Sequence, residues 1–217
     1  MTLVRFLGVD IEAGPGALVP RAETELCGRT AIAKLKEAGG ALLVDVCCGT
    51  GNLACAIAMA LPAVRGWALD LTDGCVALAR ANVGRLGLGG RLQVAQGDLF
   101  APLGDQHLEG TVDMITANPP YISTAKLDQR VDLAEEPREA FDGGPYGITI
   151  HQRVARDALP LLKPGGWLVM EFGLGQERQL EHVIARSRGY EAPELFHDNA
   201  GMPRVIAARR SHSWKPS

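Results

Sequence analysis

The sequence predicts an α/β fold in which a seven-stranded, mostly parallel sheet carries helices on both faces. Three observations lead to this prediction. Helical and strand-like segments alternate from about residue 20 onward. The strand-like runs are short and nearly all apolar, as in strands that a parallel sheet buries on both faces. A glycine turn, Gly49-Thr50-Gly51, joins the first of these runs to the next helical segment.

The individual elements follow from periodicity and from the glycines and prolines that interrupt it. Residues 1–20 are expected to form an irregular lead-in or a short hairpin, broken by Gly14, Pro15 and Gly16. Helices are predicted over 22–37, 52–60, 73–86, a segment that ends at Leu162, and 176–188. Strands are predicted over 41–46, 65–70, 92–96, 112–117, 167–172, 194–197 and 204–208. A long loop is expected over 121–146, and loops of that length inside a domain often carry function.

Length and composition indicate one globular domain. The chain has 217 residues, of which 47% are hydrophobic and 22% charged. We expect a lead-in over 1–21, the domain itself over 22–209, and a flexible tail over 210–217.

The charge pattern argues against a nucleic-acid substrate, because the net charge is −3 and no basic stripe is present. The N-terminal apolar run is too short for a signal peptide, and no apolar run approaches the roughly 20 residues of a membrane span. We therefore expect a cytoplasmic protein that does not bind membranes. The five cysteines form no CxxC pair, and no histidine stands at zinc-ligand spacing, so no metal is expected.

The first three predicted strands end in residues that suit a nucleoside. In open parallel sheets, ligands bind beyond the carboxyl ends of the strands. Asp45 ends the first strand and is followed by the turn Cys47-Cys48-Gly49-Thr50-Gly51, whose glycines let the backbone approach a ligand. Asp70, followed by Leu71, can accept bonds from ribose hydroxyls. After the third strand, Asp98 can accept from an adenine amino group and Leu99 can cover the ring.

The same residues fit a second cofactor class. Gly49, Gly51 and Ala54 also satisfy the loose dinucleotide fingerprint, with Asp70 at the expected distance. A nicotinamide-dependent oxidoreductase therefore stays open at this point, and the fourth strand must decide.

The fourth strand ends in Asn118-Pro119-Pro120-Tyr121, which suits a planar amide or aromatic amine. Two successive prolines remove two N–H donors and fix two φ angles. The Asn118 side-chain oxygen and the Pro119 carbonyl can then both accept from one –NH2 group, with Tyr121 as an aromatic wall. Such acceptors can orient a poorly nucleophilic nitrogen toward an electrophilic methyl carbon without a strong base.

These motifs together resemble the HemK/PrmC family, the protein-(glutamine) methyltransferases of peptide-chain release factors, within the class I methyltransferase superfamily. Ala17–Glu25 is similar to the family's "LIPRPETE", Asp45–Gly51 to "DLGTGTG", and Asn118–Ile122 to "NPPYI". Later matches lie at Glu136-Pro137 with Phe141–Gly144, at Glu171–Gly173 with Gln176, and over Asp198–Val205.

The resemblance implies a Rossmann-like fold and N-methylation of a glutamine side chain, with S-adenosylmethionine as donor and S-adenosylhomocysteine as product. It implies that residues 47–51, Asp70, Leu99 and Asn118 contact the cofactor, and that Asn118 to Tyr121 hold the acceptor amide. The sequence departs from the family in Cys47-Cys48, which replace Gly-Thr, and in Ala22, which replaces proline.

Bacterial members carry a helical domain before the first motif, where this sequence has residues 1–21, so we expect that domain to be missing. The resemblance therefore implies the reaction and leaves two kinds of acceptor open. A small-molecule amide, guanidine or amino acid is the alternative acceptor, ahead of a nucleic-acid base.

Overall fold

The computed structural model describes residues 1–129 and 138–215, and a seven-stranded sheet runs through its centre. The strands of the described ranges are β1 (Thr2–Phe6), β2 (Val9–Ala13), β3 (Leu42–Val46), β4 (Arg65–Asp70), β5 (Leu92–Gln96), β6 (Val112–Ala117), β7 (Leu162–Glu171), β8 (Glu194–His197) and β9 (Pro203–Arg209). The helices are α1 (Glu25–Ala38), α2 (Asn52–Ala60), α3 (Asp73–Arg85), α4 (Thr124–Leu127), α5 (Thr149–Leu161) and α6 (Glu177–Arg186).

The order of strands in the sheet is β5-β4-β3-β6-β7-β9-β8, with only β9 antiparallel to its neighbours. The chain steps outward from β3 to β4 and β5, then crosses back to β6 on the other side. The strand order therefore reverses between β3 and β6, which is where an open α/β sheet leaves a crevice at its carboxyl edge. The predicted fold class is confirmed.

The sheet is covered on both faces by apolar side chains. One cluster joins α1, α2 and α3 to the sheet and includes Leu35, Ile57 and Val83. The other joins α5 and α6 to the opposite face and includes Val154 and Leu180. Because both faces are covered, strands such as β3 are buried along most of their length, which explains their nearly continuous apolar sequence.

Residues 2–13 form a hairpin, one of the two forms expected for the lead-in. Leu7 and Gly8 make its turn, both with positive φ (47° and 80°), as a two-residue turn of type I′ requires. Phe6 and Ile11 are buried in the core cluster of α1 to α3. The hairpin therefore packs as part of the domain.

Three elements differ from the predictions in extent. Helix α1 begins at Glu25, three residues after the predicted start, because residues 21–26 form i→i+3 turn bonds instead of helical ones. Strand β7 begins at Leu162, five residues before the predicted start at 167, with a register shift opposite Val112 and Met114. The described part of the loop expected over 121–146 contains α4 and the 3-10 turn Arg138–Ala140, while Glu136-Pro137 lies outside the described residues.

The start of the expected tail packs against the domain. Arg210 is 5% exposed, and its backbone exchanges hydrogen bonds with Gly165 and Gly166. Its guanidinium lies 4.6 Å from the ring centroid of Trp214. Packed structure therefore continues beyond residue 209, where the sequence led us to expect a flexible tail.

Candidate active site

The loops that follow β3, β4, β5 and β6 surround one cavity of about 400 Å³ at the carboxyl edge of the sheet. This volume lies within the range of pockets that bind small molecules and cofactors. Of the residues that the sequence singled out, nine line the cavity: Cys47, Cys48, Gly49, Asp70, Leu71, Asp98, Leu99, Asn118 and Pro120. Asp45, Thr50, Gly51, Pro119 and Tyr121 do not line it.

Asp45 lies beneath the glycine loop and supports it. The side chain is 0% exposed and accepts hydrogen bonds from the Thr116 hydroxyl (2.7 Å) and from the Ala54 backbone N–H in the first turn of α2 (3.2 Å). Burial raises the pKa of Asp45 to about 7, although the bond from Thr116 opposes this rise. The carboxylate thus ties the loop and α2 to strand β6, and reaches no ligand in the cavity directly.

The loop itself turns through three positive φ angles, at Cys47 (55°), Gly49 (54°) and Gly51 (75°). A side chain in this conformation costs roughly 1–2 kcal/mol, so the cysteine at position 47 is held there by its surroundings. Burial raises the pKa of the Cys47 and Cys48 thiols above the ordinary value. Both remain neutral thiols, which keeps a nucleophilic thiolate away from the cavity.

Asp70 connects the first two loops. One carboxylate oxygen accepts from the Gly49 N–H at 2.8 Å, and the other accepts from the Thr72 N–H at 3.3 Å. Each oxygen keeps a lone pair, because a carboxylate offers about four acceptor sites. Asp70 lines the cavity, so this capacity is directed at whatever occupies it.

The third loop brings Asp98 and Leu99 to the cavity together with a residue that the sequence did not single out. Leu99 adopts a positive φ of 50° and is buried against the core. The exposed Asp98 carboxylate forms a 2.7 Å ion pair with Arg153 of α5, and Arg153 also lines the cavity. Arg153 therefore positions the carboxylate that was predicted to meet an adenine amino group.

The fourth loop places Asn118 and Pro120 on the cavity wall. The Asn118 amide nitrogen donates to the Thr24 hydroxyl at 3.2 Å, which leaves the Asn118 side-chain oxygen free to accept. Thr24 is buried and lines the cavity beside it. The amide orientation that the sequence analysis required is thus provided by a residue 94 positions away.

Tyr121 does not line the cavity and contacts a buried ion pair. Its hydroxyl accepts from Arg204 at 3.4 Å, and Arg204 lies 3.5 Å from the Glu171 carboxylate. Burial raises the pKa of Glu171 to about 7, against the lowering effect of the Thr24 hydroxyl and of Arg204. Tyr121 is therefore held by a polar cluster outside the cavity lining, and its expected role as an aromatic wall for the acceptor stays a prediction.

Several residues of this site were not singled out by the sequence. Thr24, Arg153, Glu171 and Arg204 act through contacts that join distant parts of the chain. For Thr24, Glu171 and Arg204 the available signal was membership of the family-like motifs, which carried no role for any of them.

Two further findings bear on the class of protein. Within residues 1–129 and 138–215, no three His, Cys, Asp or Glu side chains converge on a possible metal position. No helix of that same part of the chain is long and apolar enough to cross a membrane.

The sequence of the chain is similar to those of known methyltransferases. The family described as Methyltransferase small domain matches residues 23–136. The chain is 35% identical over 208 residues to the release factor glutamine methyltransferase of Moorella thermoacetica, covering 94% of this chain and 71% of that protein. It is 35% identical over 206 residues to the corresponding protein of Geobacter sulfurreducens, with 94% and 69% covered.

The fold is also similar to solved structures of low sequence identity. A methyltransferase from Pyrococcus furiosus superposes with a TM-score of 0.65 at 20% identity, over 94% of this chain and 90% of that one. The N-terminal domain of human METTL16 in complex with SAH gives a TM-score of 0.67 at 17% identity, over 95% and 76%.

Fold and sequence together define the class as the S-adenosylmethionine-dependent methyltransferases with a class I fold. Within that class, the chain belongs to the HemK/PrmC family of release factor glutamine methyltransferases.

Proposed function

We propose that this protein transfers a methyl group from S-adenosylmethionine to the side-chain amide nitrogen of a glutamine in a peptide-chain release factor. The observation that carries the proposal is the Asn118 amide, which is held by Thr24 so that its oxygen is left free to accept. The names of the relatives supply the protein substrate, because they are release factor glutamine methyltransferases. A release factor acts in translation, so we place the protein in the cytoplasm.

The cavity residues fit the cofactor. Asp70 offers acceptor sites for ribose hydroxyls, and Leu99 offers an apolar surface for the adenine ring, next to Asp98. A Cβ placed on Gly49 would meet no other atom within 4 Å. The space beside this glycine is therefore open for a close approach by the methionine part of S-adenosylmethionine. When bound, S-adenosylmethionine supplies a methyl carbon on a sulfonium sulfur, which departs with the bonding electron pair as a neutral thioether.

Asn118 and Pro119 would hold the acceptor. An amide nitrogen is a poor nucleophile, since its lone pair is delocalised into the carbonyl group. The Asn118 side-chain oxygen and the Pro119 carbonyl would each accept a hydrogen bond from one N–H of the glutamine amide. These two bonds would fix the amide nitrogen in one orientation and increase its electron density. As the new C–N bond forms, one N–H proton leaves along these hydrogen bonds toward solvent. Orientation of this kind accounts for several kcal/mol of barrier without a strong base.

The test is methyl transfer from labelled S-adenosylmethionine to a purified release factor. We expect label on the glutamine of its Gly-Gly-Gln loop, and none when that glutamine is replaced by glutamate. A protein that labels only the small-molecule fraction of a lysate would instead be the alternative, an N-methyltransferase of a small amide, guanidine or amino acid. Label on RNA or DNA would overturn the expectation that nucleic acid is not a substrate.

A further inference from the structure

Gln176 joins three loops around Tyr121, and the function proposed above gives it no role. The residue precedes α6, and its side-chain nitrogen donates to the backbone carbonyls of Tyr121 (2.9 Å) and Gly147 (3.2 Å). Its side-chain oxygen accepts from the Gly173 N–H at 2.9 Å. One primary amide therefore uses two donors and one acceptor to connect the ends of β6 and β7 with the segment before α5.

The three loops can meet at Gln176 because two of the residues there are glycines. Gly147 has a φ of 72°, and a Cβ on it would collide with the Tyr121 carbonyl oxygen. A Cβ on Gly173 would stand 2.9 Å from the Tyr121 ring and 3.0 Å from the Gln176 side-chain oxygen. These approaches leave little space around the amide, so a substitute has to match it in size as well as in hydrogen bonding.

The Tyr121 carbonyl needs an external partner. The two residues before it are prolines, which donate no backbone hydrogen bonds. One position further on, Ile122 donates to the Phe141 carbonyl at 2.9 Å and accepts from the Gly143 N–H at 2.8 Å. The bond from Gln176 holds the backbone of the segment between these bonds and Asn118, beside the contact of the Tyr121 side chain with Arg204.

We propose that Gln176 is a positioning residue for methyl transfer: through the Tyr121 carbonyl it sets the place of the Pro119 carbonyl and the Asn118 side chain at the acceptor nitrogen. The inference rests on the proposed function, because it assigns these groups to the acceptor. Gln176 does not line the cofactor cavity. Its effect therefore falls mainly on the acceptor, and through Asn118 it reaches the cofactor only as far as Asn118→Ala does.

The experiment compares Gln176→Glu with Gln152→Glu. The first variant keeps the acceptor for Gly173 but replaces the nitrogen that donates both other bonds with an oxygen facing the carbonyls of Tyr121 and Gly147. The second makes the same chemical change on an exposed position of α5. The measurements are kcat and KM with a purified release factor, the dissociation constant of S-adenosylhomocysteine by calorimetry, and amide hydrogen exchange.

For Gln176→Glu we expect kcat/KM for the release factor to fall about 10- to 100-fold, the size expected for a misplaced reacting group. Cofactor affinity of Gln176→Glu should fall no more than the modest loss expected for Asn118→Ala, and the Gln152→Glu variant should have wild-type values throughout. Hydrogen exchange should accelerate over residues 121–127 and 143–148, and stay unchanged over 70–79. If Gln176→Glu does not fold, Gln176→Met serves as the second variant, because it keeps the size and removes all three bonds.

A variant with kcat/KM within about threefold of wild type, too small a barrier change for a lost positioning contact, overturns the proposal. An equal loss of cofactor affinity also overturns it, because Gln176 would then act only on the fold. If wild-type protein does not methylate the release factor, the proposed function fails. The exchange measurement then still decides whether Gln176 holds these loops.

Discussion

Replacing Asp70 by asparagine separates two roles that the structure gives to this carboxylate. Its oxygens accept from the Gly49 and Thr72 N–H groups at 2.8 and 3.3 Å, and their remaining lone pairs face the cavity. Asparagine has one oxygen, which we expect to stay on the shorter bond to Gly49. Its –NH2 group then faces the Thr72 N–H and can no longer accept from a ribose hydroxyl.

The expected loss follows from the bonds removed. A hydrogen bond to a charged group contributes about 1.5–3 kcal/mol, so loss of one ribose bond should weaken S-adenosylhomocysteine binding about 10- to 150-fold. Asp70→Ala should weaken binding further, because it also leaves the Gly49 N–H without its acceptor. The Asn variant is the sharper test, since it preserves the loop contact.

Isothermal titration with S-adenosylhomocysteine measures this loss directly. The matched control is Asp73→Asn, which changes the charge equally at an exposed position three residues further on. We expect it to bind as wild type does. Thermal unfolding should show that each variant is folded. A folded Asp70→Asn protein whose affinity equals that of the control would refute the assignment of Asp70 to the ribose.

Three further predictions concern Asn118, Thr24 and Asp45. Asn118→Ala should abolish methyl transfer with only a modest loss of cofactor affinity, and Asn118→Asp should retain more activity than Asn118→Ala. Near-normal turnover of the alanine variant would mean that the Pro-Pro turn has only a structural role. Thr24→Val should lower kcat about fivefold, since the bond from Asn118 that it removes is a neutral hydrogen bond of about 1 kcal/mol; it should also lower stability, because the hydroxyl no longer bonds Glu171. Thr24→Ser keeps the hydroxyl and should be unaffected, so equal rates for the two variants would count against the bond. The pKa of Asp45 rises on folding from 3.8 to about 7, so between these values the folded protein holds a proton that the unfolded chain has lost. The free energy of unfolding of the wild type therefore falls as pH rises through that window. In urea unfolding, the free energy of unfolding of Asp45→Asn minus that of wild type should grow by roughly 1 kcal/mol per pH unit. A constant difference from pH 5 to 7 would mean that Asp45 stays ionised throughout.

Local patterns determined where the elements lie. Helix α2 and strands β4, β5 and β6 have the bounds that apolar runs and glycine breaks predicted. The same patterns put the cofactor-site residues at the carboxyl ends of successive strands, and parallel strands bring such ends to one edge. Nine of the residues singled out from sequence line the cavity for this reason. Each of these inferences depends on neighbours within a few positions, which periodicity reports.

The direction of each side chain and its long-range partner were decided only by the tertiary structure. Asp45 ends a strand as expected, but the close packing of β6 and α2 places it beneath the loop, away from the cavity. Tyr121 follows the prolines as expected, but its hydroxyl bonds Arg204 and the residue does not line the cavity. The bonds from Asn118 to Thr24 and from Gln176 to Tyr121 span 94 and 55 positions of the chain. A local pattern carries no information about such pairs, because they form only after the sheet has brought distant loops to the same edge.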